Sequence, residues 1–384
     1  MKKLKIIHIH TDYKFIFNSD LFEGDLFDNM NVIIQLKGNY PGDENEKIKL
    51  FRDNHNDRAK IVGLCKQADI VIIYDLNIIK CRIITQLPLK TVIIWRFFGY
   101  ELYGKMKKMF LSEQSYIYEK QSQKNKFKVF ARKAISNING LLRYKKTPVK
   151  LFNDAIKRIN YMYVLNEEEY TFLKQLWPIL PPYLNFPIKE EFKPVNIITL
   201  INERCKTSPL VILGNNRSFY NNHLDLIDII ERTSEKSNCK FMMLFNYGLD
   251  NNYARAVRNT VNEKTNIILI EDFLTKNEFQ NFYKKPTALV LNSYRQLGVG
   301  NIFMAFNYGI KVYLNSKNVY YDWLKKEGFK VFSMEEFETD LKNNAIQPDL
   351  ELAKINYENL ITFYKKENKE SFQNKLYNQL NQIK

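Results

Sequence analysis

The sequence alternates short, nearly continuous apolar runs with longer amphipathic segments, a pattern typical of parallel strands joined by crossover helices. Ten runs are predicted as strands: 4–10, 31–36, 69–74, 91–96 and 159–165, followed by 209–213, 239–245, 265–270, 287–292 and 310–315. Residues 222–236 and 252–264 repeat their apolar positions with the period of an α-helix. The two sets of strands are joined by a proline-rich passage at 177–194. The pattern therefore predicts an α/β protein with two doubly wound domains that face one another.

The length agrees with this division, because 384 residues exceed what one ordinary hydrophobic core holds. We predict an N-terminal domain at 1–185, a second domain at 195–350 and a polar helical segment at 351–384. Hydrophobic residues make up 45% and charged residues 26%, the balance of a globular protein. No apolar run approaches the roughly 20 residues that span a bilayer. The first residues are interpreted as a strand, not a signal peptide.

The four cysteines lie far apart and show no metal-binding spacing. This arrangement favours a reducing cytoplasm, without a disulfide framework or structural zinc.

The positive charge is concentrated in one segment. Residues 105–158 contain fifteen Lys or Arg against three acids, which supplies +12 of the net charge of +16. Apolar residues are interleaved with these cations, as in helices that bind anionic lipid headgroups. A solvated helix face and a nucleic-acid surface are the alternatives, but no nucleic-acid-binding motif supports the latter. We therefore predict an anionic membrane surface as a partner, and no nucleic acid.

The loop after the strand at 209–213 is unusually polar. Ligands bind at the carboxyl ends of strands in open parallel sheets. Gly214 permits a tight turn there, and Asn222 is placed to cap the following helix. The polar residues that follow the glycine are Asn215, Asn216, Arg217 and Ser218. An ordinary loop needs one glycine and one cap, so the excess predicts a ligand site, with turn chemistry as the alternative.

A second polar loop, "SYRQLGVGN" at 293–301, leads into an apolar helix. A helix N-terminus presents free N–H groups, and glycines let a phosphate approach the backbone. An arginine can bind phosphate oxygens in bidentate fashion. The alternative is a helix cap with a surface arginine. The donor-binding residues assigned to this loop are Tyr294, Arg295, Gln296, Gly298, Gly300 and Asn301.

Three further strand ends carry candidate residues. After the strand at 265–270, Phe273 and Leu274 could form one side of a pocket for a nucleotide base. They could instead form a hydrophobic staple, and Thr275 caps the next helix. Asp12 follows the first strand and Glu101 follows the strand at 91–96, and either could act as a general base. Each acid could instead cap a helix or be solvated.

His8 and His10 share one face of the first strand, but two histidines without carboxylate partners do not make a metal site. We therefore predict no metal site there.

Several stretches together carry a family resemblance: "IWRFFGYELY" (94–103), "LGNNRSFYNNH" (213–223), "FNYGLDNNYARAV" (245–257) and the segment 294–332. They resemble glycosyltransferase family 56, typified by the transferase of 4-acetamido-4,6-dideoxygalactose in enterobacterial common antigen synthesis. The family's Gly-Asn loop is matched by Gly214, Asn215, Ser218, Asn222 and His223. Its Arg-Gln-x-Gly-x-Gly segment is matched by Arg295, Gln296, Gly298 and Gly300. Where the family has an aspartate, this chain has Glu101.

The resemblance implies a GT-B architecture of two Rossmann-like domains facing across a cleft, with the nucleotide-sugar donor in the C-terminal domain. It implies an inverting transfer that needs neither a metal ion nor a cofactor. We therefore expect a glycosyltransferase that moves a deoxyamino sugar from a dTDP- or UDP-linked donor to a polyprenyl-diphosphate-linked glycan acceptor. Its expected place is the cytoplasmic face of the inner membrane, as a peripheral protein in surface polysaccharide synthesis, such as that of capsule or O-antigen.

Three alternatives stay open. The chain could be a GT-B transferase for another donor, or a sugar-nucleotide epimerase, although an epimerase would have no use for the basic segment. It could also be a non-catalytic protein that binds membranes or polyanions.

Overall fold

The structure, a computed structural model, describes residues 2–36, 40–122, 134–135, 137–138, 146–185, 193–233, 237–263, 266–366 and 368–381. Contacts divide the chain into two compact units. Unit 1 comprises the described residues within 1–102, 127–189 and 367–384. Unit 2 comprises those within 103–126 and 190–366.

Unit 1 is built on a parallel sheet of seven strands. They are β1 (Leu4–His10), β2 (Phe27–Gln35), β3 (Ile48–Arg52), β4 (Ile70–Tyr74), β5 (Val92–Arg96), β6 (Tyr161–Val164) and β7 (Tyr183–Asn185). Their order is β3-β2-β1-β4-β5-β6-β7. The five strands predicted in this half are confirmed, whereas β3 and β7 were not predicted. Both are edge strands whose side chains are half-buried or exposed, so their apolar signal in the sequence is weak.

Unit 2 is built on a parallel sheet of five strands. They are β8 (Leu210–Leu213), β9 (Lys240–Leu244), β10 (Ile267–Ile270), β11 (Ala288–Leu291) and β12 (Lys311–Leu314). Their order is β10-β9-β8-β11-β12. All five were predicted, each within two residues of its observed bounds, because strands buried on both faces give the strongest apolar runs.

The α-helices with assigned bounds are α1 (His55–Cys65), α2 (Ile78–Ile84), α3 (Tyr100–Tyr103), α4 (Glu113–Ser122), α5 (Pro148–Arg158), α6 (Glu167–Leu176), α7 (Ile197–Arg204), α8 (His223–Thr233), α9 (Asn252–Asn262), α10 (Lys276–Phe282), α11 (Val299–Asn307), α12 (Val319–Lys326), α13 (Met334–Lys342), α14 (Leu350–Lys366) and α15 (Lys369–Asn381). Short 3-10 helices cover Tyr13–Phe22, Lys107–Phe110 and Phe219–Asn221. The helices predicted at 222–236 and 252–264 correspond to α8 and α9.

Asparagine is the main helix cap in this chain. Seven of the described helices begin after an asparagine whose side chain accepts a hydrogen bond from a first-turn amide; these residues are Asn54, Asn77, Asn166, Asn196, Asn251, Asn318 and Asn368. Such a cap stabilises a helix by about 1 kcal/mol relative to alanine. These asparagine side chains therefore have a structural function.

Two stretches group differently from the predicted domains. Helix α4, which lies in the region assigned to the N-terminal domain, packs against α8 and α9 of unit 2. Helix α15 packs on unit 1, where Phe372, Leu376 and Tyr377 join the core formed around β1, β4 and β5. The Tyr377 hydroxyl also donates to the Lys2 carbonyl oxygen, at 3.2 Å.

The basic segment 105–158 is described only in part, since residues 123–133, 136 and 139–145 lie outside the described residues. Its described portions include α4 and α5. No helix in the described part of the chain is both long and apolar enough to cross a membrane.

Candidate active site

The sheet of unit 2 has one point where the direction of winding reverses. From β8 the chain proceeds through β9 to the edge strand β10, and later returns to β11 on the other side of β8. Ligands of doubly wound proteins bind at such switch points, beyond the carboxyl ends of the strands. The two polar loops identified in the sequence, 214–223 and 293–301, follow β8 and β11 and therefore flank this point.

Gly214 starts the first loop in a conformation that favours glycine. Its φ is +64°, and a Cβ at this position would lie 3.1 Å from Nε2 of His223. The Gly214 amide donates to the Val290 carbonyl oxygen of β11, at 2.9 Å. The turn is therefore tied to the neighbouring strand across the switch point.

Asn221 holds the rest of this loop in shape. Its buried side-chain amide donates to the backbone carbonyl and the side-chain oxygen of Asn216, at 3.0 and 3.1 Å. Its Oδ1 accepts from the amide of Asn215 at 3.3 Å. Ser218 caps the short 3-10 helix, since its Oγ accepts from the Tyr220 amide. Sequence reasoning did not single out Asn221, which looks like one more polar residue in a polar loop.

His223, predicted to bind the donor, lies fully buried beneath Gly214. Its backbone amide donates to the Tyr253 hydroxyl at 2.8 Å, and its Nδ1 lies 3.2 Å from the same oxygen. Burial lowers the pKa of His223 to about 3, so the imidazole is neutral at physiological pH. The ring supports the loop from below.

Asn222 was predicted to cap α8, but its side chain does not do so. It has a left-handed backbone, with φ +48°, and its side chain joins separate parts of unit 2. Oδ1 accepts from the amide of Ser112 and Nδ2 donates to the carbonyl oxygen of Asn292, both at 2.9 Å. Asn292 Oδ1 in turn accepts from Asn315 Nδ2 at 2.7 Å. Asparagine side chains thus connect the ends of β11 and β12 to the first loop.

The second loop ends at Gly298, which precedes α11. Gly298 has φ +76°, and no side chain caps the N-terminus of the helix. A Cβ on Gly298 would lie 3.1 Å from Cδ1 of Leu291 and 3.5 Å from Nδ2 of Asn215. Hence the amide end of α11 and the loop after β8 lie side by side. Such an uncapped helix N-terminus attracts anions.

Arg295 is held between two aromatic rings. Its Cζ lies 4.5 Å from the ring centroid of Tyr220 and 5.2 Å from that of Tyr103. The residue is only 8% exposed. Among the described residues, Nε and Nη1 are buried and have no hydrogen-bond partner. Leaving such donors unpaired costs free energy, so this guanidinium is prepared for an acceptor that the described residues do not supply.

Asn215 shows the same property on the opposite loop. Its Oδ1 is buried and has no hydrogen-bond partner within the described ranges, while its Nδ2 lies next to Gly298. The two loops therefore offer an unpaired amide oxygen and two unpaired guanidinium nitrogens at one switch point. An amide and a guanidinium together can bind a polar, negatively charged ligand.

The Arg217 side chain contacts the residues just after the neighbouring strand, β9. Its Nε donates to the carbonyl oxygen of Phe245 at 3.0 Å, and its amide donates to that of Tyr247 at 2.9 Å. Its Cγ is the atom that a side chain at Gly248 would meet, at 2.7 Å. The arginine therefore braces the end of β9 against the first loop.

The other predicted donor residues lie around this centre. Gln296 Oε1 accepts from the Tyr320 hydroxyl at 3.2 Å, and Nζ of Lys317 lies 4.3 Å from the Tyr294 ring centroid. Asn301 donates to the Tyr283 hydroxyl at 2.8 Å, so its side chain is used within unit 2. Gly300 is in the first turn of α11.

Phe273 and Leu274 follow β10, the edge strand, which β9 separates from β8. Phe273 is 79% exposed, whereas Leu274 is half-buried. Thr275 caps α10 as predicted, through a capping box with Glu278. The exposed ring is accessible to a ligand.

Unit 1 has a corresponding switch point between β1 and β4. Lys80, fully buried, pairs with Asp75 at 2.9 Å and donates to Thr11 Oγ1 at 3.0 Å and to the Tyr74 carbonyl. The Thr11 hydroxyl donates to Asp75, and Asn77 donates to both. Sequence reasoning missed this cluster, although Asp75 follows directly after a predicted strand.

Asp12 lies at the same end of β1. It is exposed, and its Oδ1 accepts from the Lys14 amide at 3.0 Å, which makes it the cap of the 3-10 helix at Tyr13–Phe22. Capping and catalysis are not exclusive, since a carboxylate has several acceptor positions.

Glu101 is buried, at 5% exposure. Its Oε1 accepts from Trp95 Nε1 at 3.3 Å and from the Phe98 amide at 3.1 Å. Burial raises the pKa of Glu101 to about 7, although these hydrogen bonds act in the opposite direction. At neutral pH, burial therefore keeps a larger share of this carboxyl group protonated than in an exposed glutamate.

His8 and His10 are both buried, and burial lowers the pKa of each, that of His8 to about 4. Their Nε2 atoms pair with the side chains of Asn29 and Asn31. Among the described residues, no group of three or more His, Cys, Asp or Glu is placed to hold a metal ion.

Solved structures resemble the chain over its whole length. Sucrose-phosphate synthase from Thermosynechococcus elongatus aligns with a TM-score of 0.67 at 12% identity, covering all of both chains. Anabaena Alr3699/HepE, solved in complex with UDP-glucose, aligns with a TM-score of 0.64 at 9% identity, over 99% of this chain and all of that one. The chain has the GT-B fold. The lipopolysaccharide outer core galactosyltransferase WaaB, at TM-score 0.58 and 14% identity over 98% of this chain and all of that one, agrees.

The expected GT-B architecture is thus confirmed. No protein-family model matches the sequence, and no curated protein matches it either. At these identities the likeness to solved structures carries the GT-B fold alone.

Proposed function

We propose that the protein is a glycosyltransferase that binds the diphosphate of a nucleotide sugar at the switch point of unit 2. The observation that carries this proposal is Arg295, whose buried Nε and Nη1 have no partner in the described part of the chain. A departing nucleoside diphosphate gains negative charge during sugar transfer, and preorganised donors stabilise that charge. Arg295 and the uncapped amides of α11 supply such donors.

Two features support a nucleotide-sugar donor specifically. The HepE protein of Anabaena, which shares the GT-B fold, was solved with UDP and with UDP-glucose. In addition, Asn215 and the left-handed turn at Gly214 present polar atoms beside α11, where the uncharged part of a donor could be oriented. We infer a UDP- or dTDP-linked sugar as the donor class.

Asp12 is the general base that we favour. A base must accept a proton from the acceptor hydroxyl while that hydroxyl attacks the anomeric carbon. Asp12 is exposed at the carboxyl end of β1, whereas Glu101 is buried and engaged by Trp95 and Phe98. The raised pKa of Glu101 still suits proton transfer near neutral pH, so Glu101 is the second choice.

The finer assignment follows the resemblance to glycosyltransferase family 56. We propose an inverting, metal-independent transfer of a deoxyamino sugar to a polyprenyl-diphosphate-linked glycan. The charge of segment 105–158 supports an anionic membrane surface as the working place, on the cytoplasmic face of the inner membrane. Exposed Met109 and Val149 within that segment suit the same surface.

A thermal-shift panel of UDP, dTDP, GDP, ADP and their sugar derivatives tests the proposal, with and without added divalent cations. A ligand that binds only the folded state raises the melting temperature with concentration. We expect UDP or dTDP compounds to stabilise the protein without metal, and Arg295→Gln to lose this effect.

Arg232→Gln is the matched control, because Arg232 is an exposed arginine paired with Glu338 elsewhere in unit 2. It should retain the full shift. If no nucleotide stabilises the wild-type protein while anionic vesicles still bind it, the alternative of a non-catalytic membrane protein gains the support instead. If nucleotide sugars bind but are isomerised without an acceptor, the protein is an epimerase.

A further inference from the structure

The loop after β9 contains an asparagine with an unpaired oxygen. Oδ1 of Asn246 is buried and has no hydrogen-bond partner within the described part of the chain. The residue as a whole is half-buried, so a ligand can reach its side chain. A buried acceptor without a partner costs free energy, which an N–H donor on a ligand would recover. Asn246 is therefore suited to contact a ligand that carries an N–H group.

Arg217 fixes the backbone on both sides of Asn246. The carbonyl oxygen of Phe245 accepts from Nε of Arg217 at 3.0 Å, and that of Tyr247 accepts from the Arg217 backbone amide at 2.9 Å. The Phe245 amide donates to the carbonyl oxygen of Ile270, at 2.9 Å. Hydrogen bonds thus join this short stretch both to the loop after β8 and to the end of β10. The asparagine is presented from a backbone that is already fixed in place.

Three apolar side chains are exposed at the strand ends around Asn246. Tyr247 and Leu249 follow it in the same loop, and Phe273 follows the adjacent strand, β10. Exposed apolar side chains that lie close together mark binding surfaces. The flat face of a nucleotide base stacks on such side chains, whereas a sugar ring would leave its hydroxyl groups unpaired there. These side chains therefore favour a base as the ligand group.

Two acids of the same loops would repel a nucleotide if their charge were uncompensated. Arg258 of α9 pairs with both of them, with Asp250 at 2.7 Å and with Glu271 at 2.8 Å. Their charge is thus offset by an arginine of unit 2, and the phosphates of a nucleotide need not lie near them.

The position of Asn246 relative to Arg295 suits a nucleotide. The sheet order β9-β8-β11 places one strand between the two strands that these residues follow. Neighbouring strands are about 4.8 Å apart, so the ends of β9 and β11 are about 10 Å apart. A nucleoside diphosphate bridges such a distance between its diphosphate and its base. A ligand whose diphosphate lies at Arg295 and α11 can therefore reach Asn246 with its base.

We propose that Asn246 recognises the base of the donor nucleotide, and that this base is uracil or thymine. The proposal rests on the proposed function, because it takes the diphosphate of the donor to lie at Arg295. Uracil and thymine carry an N3–H donor beside a carbonyl oxygen. A side-chain amide is complementary to this edge, since its oxygen accepts from N3–H and its nitrogen donates to the carbonyl oxygen. The methyl group of thymine lies outside this edge, so Asn246 accepts both bases.

The same contact disfavours cytosine. Cytosine has an unprotonated N3 and an amino group at the corresponding positions, so its donor and acceptor are exchanged relative to uracil. With Oδ1 as the acceptor, the amide oxygen would face a lone pair, and the amide nitrogen would face an amino group. An aspartate lacks the N–H donor that uracil needs, but its oxygen accepts from the amino group of cytosine. Asn246→Asp should therefore move the preference from uracil towards cytosine.

Isothermal calorimetry with UDP and with CDP tests the proposal in matched variants. Asn246→Asp alters the hydrogen-bonding groups of the side chain, and Asn246→Ala removes them. Asn259→Asp is the control, since Asn259 is exposed on α9 and the chemical change is the same. The ratio of the UDP and CDP affinities is measured within each protein, so a partly unfolded variant still gives a usable result.

We expect the wild-type protein and Asn259→Asp to bind UDP about tenfold or more tightly than CDP, and Asn246→Asp to lose this preference. Asn246→Ala should bind both compounds with similar, reduced affinities. Arg295→Gln should weaken UDP and CDP alike, because they share the diphosphate, and should keep their ratio.

The proposal is overturned if Asn246→Asp keeps the wild-type ratio while UDP still binds; the diphosphate site would then stand without this base contact. It is also overturned if the wild-type protein binds CDP as tightly as UDP. A change of the ratio in Asn259→Asp as large as that in Asn246→Asp would overturn it too, because added negative charge alone would explain the effect. If neither compound binds the wild-type protein, the proposed function fails together with this base contact.

Discussion

In both sheets the first strand, β1 or β8, lies inside the sheet with later strands on both of its sides. The two switch points differ in how their polar groups are paired. In unit 1, Lys80, Asp75, Thr11 and Asn77 satisfy one another, and Lys80 uses all three of its donors within the protein. In unit 2, Arg295 and Asn215 keep buried polar atoms that have no partner among the residues the structure describes. We call the first arrangement closed, because its four side chains pair with one another, and the second open, because it keeps unpaired polar atoms.

This difference shows which of the two points is prepared for a strong polar ligand. A closed network has nothing further to gain from a ligand, whereas open donors and acceptors become paired when one binds. The topology alone could not make this distinction, because it marks both points equally. We therefore expect unit 1 to tolerate substitution poorly for structural reasons, and unit 2 to lose function with little loss of stability.

The largest effect is expected from Lys80→Met. It leaves Asp75 buried without its cation, which should lower the free energy of unfolding by about 3–5 kcal/mol. Urea denaturation followed by tryptophan fluorescence measures this. The double variant Lys80→Met/Asp75→Asn should recover part of the loss. A single variant as stable as the wild type would mean that the network is not closed.

Arg295→Ala should reduce sugar transfer about 100- to 1000-fold, the effect of removing a donor that stabilises developing charge. Its free energy of unfolding should change by no more than about 1 kcal/mol, since lost ring contacts are offset by removing unpaired buried donors. Steady-state kinetics and urea denaturation measure the two quantities. Nearly unchanged turnover would contradict the phosphate role.

Glu101→Gln tests the pH dependence of unit 1. The pKa of Glu101 is raised to about 7, so the folded state holds a proton that the unfolded state releases at lower pH. The stabilisation by this proton is present in full below the ordinary pKa of 4.5 and is lost as the pH rises through about 7. Between about pH 5 and pH 8 the glutamine variant should gain about 2–3 kcal/mol relative to the wild type. If the free energies of unfolding measured in urea change with pH in the same way for both proteins, Glu101 is ionised over the whole pH range measured.

The smallest effect is expected from a pair of glycine substitutions. Gly298→Ala places a Cβ on a left-handed residue at the amide end of α11, and should cost about 1–2 kcal/mol and weaken nucleotide-dependent stabilisation. Gly63→Ala is the matched change in unit 1, in helix α1 with open space around it, and should stabilise by up to about 1 kcal/mol. If the two substitutions change the free energy of unfolding equally, a side chain at position 298 does not strain the turn.

The buried strands could be predicted from the sequence because each of them is itself an apolar run, which is visible without knowing its neighbours in the fold. The two polar loops at the open switch point are also visible in the sequence, since glycines and polar residues are concentrated after β8 and β11. Their role in ligand binding stays a prediction. The closed site was missed because Lys80 stands in the apolar helix "IIKCRII", and only folding brings it beneath Thr11. The rings of Tyr103 and Tyr220 around Arg295 come from distant parts of the chain, so no local pattern reveals them.

Helix α15 has a consequence for synthesis of the protein on the ribosome. The core around β1 includes Phe372 and Leu376, which are translated about 370 residues after β1. Until then, the apolar residues that α15 covers, such as Phe22 and Phe27, stay accessible on the growing polypeptide. Unit 2, which needs no later segment, can complete its core first, and chaperones would have their main binding surface on the half that is made earliest.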